Sequence, residues 1–385
     1  MKRLHTAAAV AATSVLGAGA AVAAGRYAAG TALRPSRHHR GRSHVPAGFE
    51  GPALTVHATD PGHITLTRSL TSLLPGTYGL AGRHGHAVVG PVVEGPDGQG
   101  AAADTVVRAL LRTGPGELGP GDRVRLTPQV YSGDPVGALG LASAEADVPG
   151  ELGTLPAWFV PGGRRTWVIA VHGLGATREQ ALCVLPFLAE RRVPVLVLGY
   201  RGDAGAPRPA DGVGHLGNTE WRDLDAAIRY AMRYGAERVV LHGWSTGASM
   251  ALQAAANSAL RDRVAGLVLD SPVLDWRATV RALASARHVP KPLLPLVLRA
   301  AQGRAGLGTE RLATAAEPRR LAVPTLLFHG PADSVAPWQA SRDFAAARED
   351  LVTLHTVNGA PHAAMWNADP EKYEEALRRF LTPLV

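Results

Sequence analysis

A chain of 385 residues with 46% hydrophobic content is long enough to bury a full core and to carry an extra segment beyond one domain. Its 44 glycines and 29 prolines punctuate apolar runs without a fixed period, which excludes collagen-like and solenoid architectures. The net charge of +8 forms no basic stripe interleaved with aromatics, so nucleic acid is not an expected partner, and the single cysteine, Cys183, excludes an intrachain disulfide.

Lys2, Arg3 and His5 precede an uncharged, Ala-rich run from Thr6 to Gly25. A basic stretch follows, with Arg34, Arg37, Arg40 and Arg42 beside His38 and His39. The pattern predicts a membrane-associated or cell-envelope protein, through either a cleaved signal, with small residues at Ala21-Val22-Ala23, or a retained anchor. Basic residues after the run favour the anchor. Positive charge flanks both ends, so orientation is left open. Residues 1–44 are therefore read as a targeting segment with a basic linker.

Residues 45–154 show short alternations such as His63-Ile64-Thr65-Leu66-Thr67 and Arg123-Val124-Arg125-Leu126-Thr127, separated by Pro-Gly and Gly-Pro pairs. This predicts a β-rich extension with little room for long helices. It carries no chemical constellation, and His84 and His86 read as solvent-exposed turn residues.

From residue 155 to 385 the pattern changes to apolar strand-like runs alternating with helices. Trp167–Val171, Val195–Leu198, Val239–Leu241, Leu267–Leu269, Thr325–Phe328 and Leu351–Val357 read as strands, most of them buried on both faces. Glu220–Tyr234 reads as an amphipathic helix with Thr219 as N-cap, and Cys183 as a small apolar residue in another helix. The βαβ rhythm predicts a doubly wound, mostly parallel α/β sheet. Residues 274–318 separate two strands by more than a connecting helix needs, which predicts a helical cap split by Pro290, Pro292 and Pro295.

Ligands gather at the carboxyl ends of such strands, and four of those ends carry reactive groups. They are His172-Gly173-Leu174-Gly175, Gly243-Trp244-Ser245-Thr246-Gly247, Asp333 in His329-Gly330-Pro331-Ala332-Asp333, and His362 in Gly359-Ala360-Pro361-His362. Chance yields about 0.2 matches to the Ser245 pentapeptide in a chain this rich in glycine, so its weight comes from its setting between a strand and a helix. A serine hydroxyl needs a base, and a histidine oriented by a carboxylate supplies one. His362 and Asp333 are the candidates, with Asp270 the rival acid and His355 the rival base. The backbone N–H groups of Thr246 and Leu174 are candidate oxyanion donors. His172, His242 and His329 read as structural or pocket-shaping residues. Neither HExxH nor a phosphate-binding glycine loop occurs, so no metal or cofactor is expected.

These motifs, together with Tyr200-Arg201-Gly202 after the second strand, stand in the order found in the α/β-hydrolase superfamily, which residues 155–384 resemble. The likeness runs to bacterial serine esterases and lysophospholipase-like hydrolases, with peptidase-type members not separable by motif. Ala248 stands where many relatives have a second glycine. The resemblance implies an α/β-hydrolase fold and cleavage of a carboxylic ester in a small or lipid-like substrate through an acyl-serine. The alternatives are a peptidase of the same fold, or a membrane-anchored binding protein with a vestigial site.

Overall fold

The computed structural model describes Tyr27, Ala29, Gly30, Leu33 and residues 45–83, 85–93, 103–114, 116–304 and 317–385. The apolar run from Thr6 to Gly25 lies outside the described residues. Among the described residues no helix is long and apolar enough to cross a membrane.

The β-rich extension closes on itself. Strands β1 (Leu54–Asp60), β2 (His63–Thr67), β3 (Tyr78–Gly82), β4 (His86–Val92), β5 (Thr105–Thr113) and β6 (Arg123–Thr127) form an antiparallel barrel in the order β1-β2-β5-β4-β3-β6. Alternation drives closure, because Ile64 and Leu66 on β2 and Val124 and Leu126 on β6 point inward and are fully buried. The expectation for His86 is corrected. It lies on β4, half-buried, with Nε2 3.2 Å from the Gln129 carbonyl, because the strand runs through a position read as a turn. His84 is outside the described residues.

One barrel residue departs from the apolar interior. Arg108 on β5 is fully buried, and its guanidinium donates to the carbonyls of Gly90 (2.8 Å), Ser72 (3.0 Å), Leu74 (2.7 Å) and Gly76 (2.8 Å). Four backbone acceptors thus replace its hydration shell, and the loop from Ser72 to Gly76 is wrapped around it.

The second sheet has eight strands: β7 (Ala144–Pro149), β8 (Thr154–Val160), β9 (Thr166–Val171), β10 (Val195–Leu198), β11 (Arg238–Trp244), β12 (Val264–Asp270), β13 (Thr325–His329) and β14 (Val352–Thr356). Their spatial order is β14-β13-β12-β11-β9-β10-β8-β7, with β9 to β14 parallel and β7 and β8 antiparallel. Apart from Arg238 at the start of β11, β9 to β13 are buried throughout, as continuous apolar runs require when helices cover both faces. The boundary expected at residue 155 falls inside this sheet, because β7 pairs with β8 across a tight turn. The alternating Ala146 and Val148 resemble the barrel strands in pattern while belonging to the other sheet.

The helix expected at 220–234 spans Trp221–Arg233, but its cap differs. Thr219 does not cap it; the Thr219 hydroxyl bonds His215 Nδ1 at 2.8 Å. The Glu220 carboxylate instead gathers the N–H groups of His215, Gly217 and Thr219. Within residues 274–318, where a helical cap is expected, helices Trp276–Ala286 and Leu294–Arg304 are joined through a short turn at Lys291–Leu293, and residues 305–316 lie outside the described residues. Val280 and Ala284 of the first and Val297 and Ala301 of the second form an apolar cluster that also buries Ala29 and Leu33.

Candidate active site

The chain runs from β9 to β10 on one side and returns to place β11 on the other, so the crevice at the carboxyl ends of β9 and β11 is the topological switch point. His172 leaves β9 there and Ser245 leaves β11. Ser245 joins the strand directly to helix Thr246–Asn257, and its backbone takes φ 51° and ψ −113°, a strained conformation for a side-chain-bearing residue. The flanking glycines permit that turn. A Cβ at Gly243 would lie 2.3 Å from the Gly247 carbonyl carbon, and one at Gly247 would lie 2.1 Å from the Val171 oxygen.

The structure brings Ser245, Asp333 and His362 together. Ser245 Oγ is 2.7 Å from His362 Nε2, and His362 Nδ1 is 2.7 Å from Asp333 Oδ2. A carboxylate only accepts, so Nδ1 carries the proton and Nε2 is left to accept from the serine hydroxyl. Both ring nitrogens are thereby occupied. Asp270 therefore does not orient the base; it ends β12 and bonds the Ser271 hydroxyl at 2.9 Å. Burial raises its pKa to about 7. His355 lies on β14 with its ring against Phe328, outside the triad.

Asp333 is the better-held acid. Its Oδ1 accepts the Val335 and Ala336 amides at 2.8 Å each, and its Oδ2 also accepts His329 Nε2 at 2.9 Å. Burial pushes its pKa up, but His362 and His329 outweigh that and leave the carboxyl well below its ordinary range. For His362 burial pulls the pKa down, while the Asp333 carboxylate outweighs it and holds the ring above its ordinary value. His242, stacked on Trp244 and bonded to the Tyr373 hydroxyl, is driven down to about 3 by burial and stays neutral.

The residues that carry the candidate oxyanion donors, Leu174 and Thr246, line one cavity together with His172 and Tyr200. Among the described residues, neither the Leu174 nor the Thr246 amide has a backbone or side-chain acceptor. The turn that carries Leu174 is fixed from below: a Cβ at Gly173 would lie 2.9 Å from Ser245 Cβ. Beside it, His172 Nε2 meets Asp203 Oδ2 at 2.7 Å and its Nδ1 meets the Gly173 carbonyl at 3.0 Å. Burial pulls the pKa of this ring down, but the Asp203 carboxylate outweighs it and holds the imidazole above its ordinary value.

Sequence reasoning missed three contributors. Gln180 bridges the Gly173 N–H (2.9 Å) and the Ala363 carbonyl (3.2 Å), Asn367 meets the barrel, and Val45–Phe49 cross the mouth. Ala47 packs with Leu174, Leu283 and Val335, and a Cβ at Gly48 would lie 2.9 Å from His362 Cβ. Ser245 and His362 are consequently only 3% and 1% exposed. None of these residues carries a motif: the Gln180 and Asn367 amides meet backbone groups, and Ala47 and Gly48 meet side chains far away in sequence. Cys183 is buried as expected, although in a short 3-10 turn, with its thiol pushed up by burial.

Residues 166–288 match a family model described as the alpha/beta hydrolase fold. The esterase Pf2001 of Pyrococcus furiosus is similar in structure at TM-score 0.52 and 19% identity, covering 66% of this chain and 94% of that chain. This chain has the α/β-hydrolase fold. Curated relatives of this chain include the uncharacterized protein YfhR of Salmonella typhimurium, 26% identical over 246 residues, which cover 59% of this chain and 77% of that one. YfhR of Escherichia coli O157:H7 is 24% identical over 265 residues, 66% of this chain and 84% of that one. The barrel, at residues 55–127, matches a domain of unknown function, DUF8805.

Proposed function

We propose that the protein is a serine hydrolase that cleaves carboxylic esters through an acyl-Ser245 intermediate. The observation that carries this reading is the unbroken chain Ser245 Oγ–His362–Asp333, with 2.7 Å at both links, in the switch-point crevice of an α/β-hydrolase sheet. As Ser245 Oγ bonds to the ester carbonyl carbon, its proton passes to His362 Nε2, and Asp333 stabilises the imidazolium. The oxyanion meets the Leu174 and Thr246 amides. When the C–O bond breaks, the departing alkoxide takes the proton from His362. Water then attacks the acyl-enzyme by the same steps, releasing the acid and restoring Ser245.

The reading places the enzyme at a membrane or in the cell envelope, with a small or lipid-like ester as substrate. The apolar surroundings of Leu174, among Leu216, Val273 and Val280, favour an aliphatic acyl group over a peptide. A fluorophosphonate probe should label the wild type at Ser245 and fail to label Ser245→Ala. Equal labelling of both proteins overturns the proposal. A panel of acyl esters of graded length beside aminoacyl amides sets esterase against peptidase, and faster amide turnover would favour the latter.

A further inference from the structure

The loop that carries His362, from Gly359 to Ala368, has little secondary structure of its own beyond the short turn Met365–Ala368. Its precision must come from what surrounds it. On one side stands the barrel. Asn367 Nδ2 donates to the Thr77 and Pro128 carbonyls at 2.9 Å each, and the Thr77 N–H donates back to the Asn367 carbonyl at 2.8 Å. Ala364 is buried in the barrel's apolar cluster with Phe49 and Tyr78. The seam is tight enough to need glycine: a Cβ at Gly76 would lie 2.1 Å from the Asn367 carbonyl oxygen.

On the other side stands the oxyanion turn. The Gln180 amide, 4% exposed, accepts the Gly173 N–H and donates to the Ala363 carbonyl, so one side chain spans the turn and the loop. Ala363 sits at φ 53°, a costly conformation that its N–H bond to Ser271 Oγ (3.0 Å) and the Gln180 bond hold in place. Both amides are chemically matched to their sites. Asn367 faces two carbonyls and must donate twice, whereas Gln180 faces one N–H and one carbonyl and must do both.

We propose that the barrel is a working part of the catalytic site, with Asn367 the positioning residue through which it fixes the His362 loop. Gln180 is a second positioning residue, setting that loop against the oxyanion turn. Neither side chain touches the reacting atoms; each acts through the placement of His362 or Leu174. Displacing a catalytic group by about 1 Å costs roughly 10²-fold in rate, so a seam 5 residues from the base is close enough to matter. The inference rests on the reading of His362 as the base.

The test uses the full chain. Asn367→Asp keeps the shape but turns a double donor into an acceptor facing two carbonyls, and Asn367→Ala removes the contact as a milder second variant. Gln180→Glu keeps the acceptor for Gly173 and loses the donor to Ala363. Expected results are a fall in kcat of about 10²-fold for Asn367→Asp and about 10-fold for Gln180→Glu, with KM within about 2-fold of wild type. The low-field proton resonance of His362 Nδ1–H should shift or broaden in both. Ile64→Val, on β2, whose strand partners are β1 and β5, should leave kcat and the resonance unchanged.

A kcat loss in Asn367 variants that only tracks the folded fraction overturns the proposal, as does an unshifted resonance. If the wild type hydrolyses no ester, the functional reading fails on its own. The resonance comparison then still decides the positioning role.

Discussion

The two sheets of this molecule bury charge in opposite ways. In the barrel, Arg108 is caged by four backbone carbonyls, with no carboxylate among those partners, and its guanidinium lies over the Tyr78 ring. Burial drops its pKa to about 10. In the crevice at the carboxyl ends of β9 and β11, the buried Asp333 carboxylate faces two histidines, and one of them, His362, faces the nucleophile Ser245. A buried ion paired with backbone fixes a loop; a buried ion paired with titratable groups has a proton to move. The comparison assigns structural work to one region and chemistry to the other.

Removing charge from each region tests this contrast. Asp333→Asn should have the largest effect, cutting kcat by about 10³- to 10⁴-fold while leaving the fold intact. In the wild type, kcat/KM should rise with pH along a limb centred above the ordinary imidazole value of about 6.5, because Asp333 stabilises the protonated ring that cannot act as base. Loss of that carboxylate should move the limb to lower pH; a limb that stays in place would show that Asp333 does not set it. Arg108→Met should be next, costing about 3 kcal/mol in urea unfolding, since four carbonyls lose a charged donor. An unchanged midpoint would contradict the caged-cation account. Asp270→Asn should be smallest, changing kcat by less than about threefold, because neither His362 nitrogen bonds Asp270. A loss as large as that of Asp333→Asn would transfer the acid role to β12.

Much of the catalytic half was legible in the sequence because its signals are local. Continuous apolar runs identified β9 to β13, and the glycines around Ser245 announced a turn whose steric demands are visible at Gly243 and Gly247. Asp333 and His362 were found because each follows a strand. Asn367 and Gln180 escaped because what they recognise is backbone, which leaves no trace in residue type. Barrel closure was equally hidden: alternation shows that strands have two faces, while the pairing of β1 with β6 depends on register across the whole segment. The β7 strand was misassigned for the same reason, as its alternation suits either sheet.

The stretch Val45–Phe49 passes over the mouth of the crevice, packing Ala47 on Leu174 and bringing Gly48 against His362. These residues therefore form part of the rim over Ser245 and His362, so a change in this stretch alters access to the nucleophile without touching the triad.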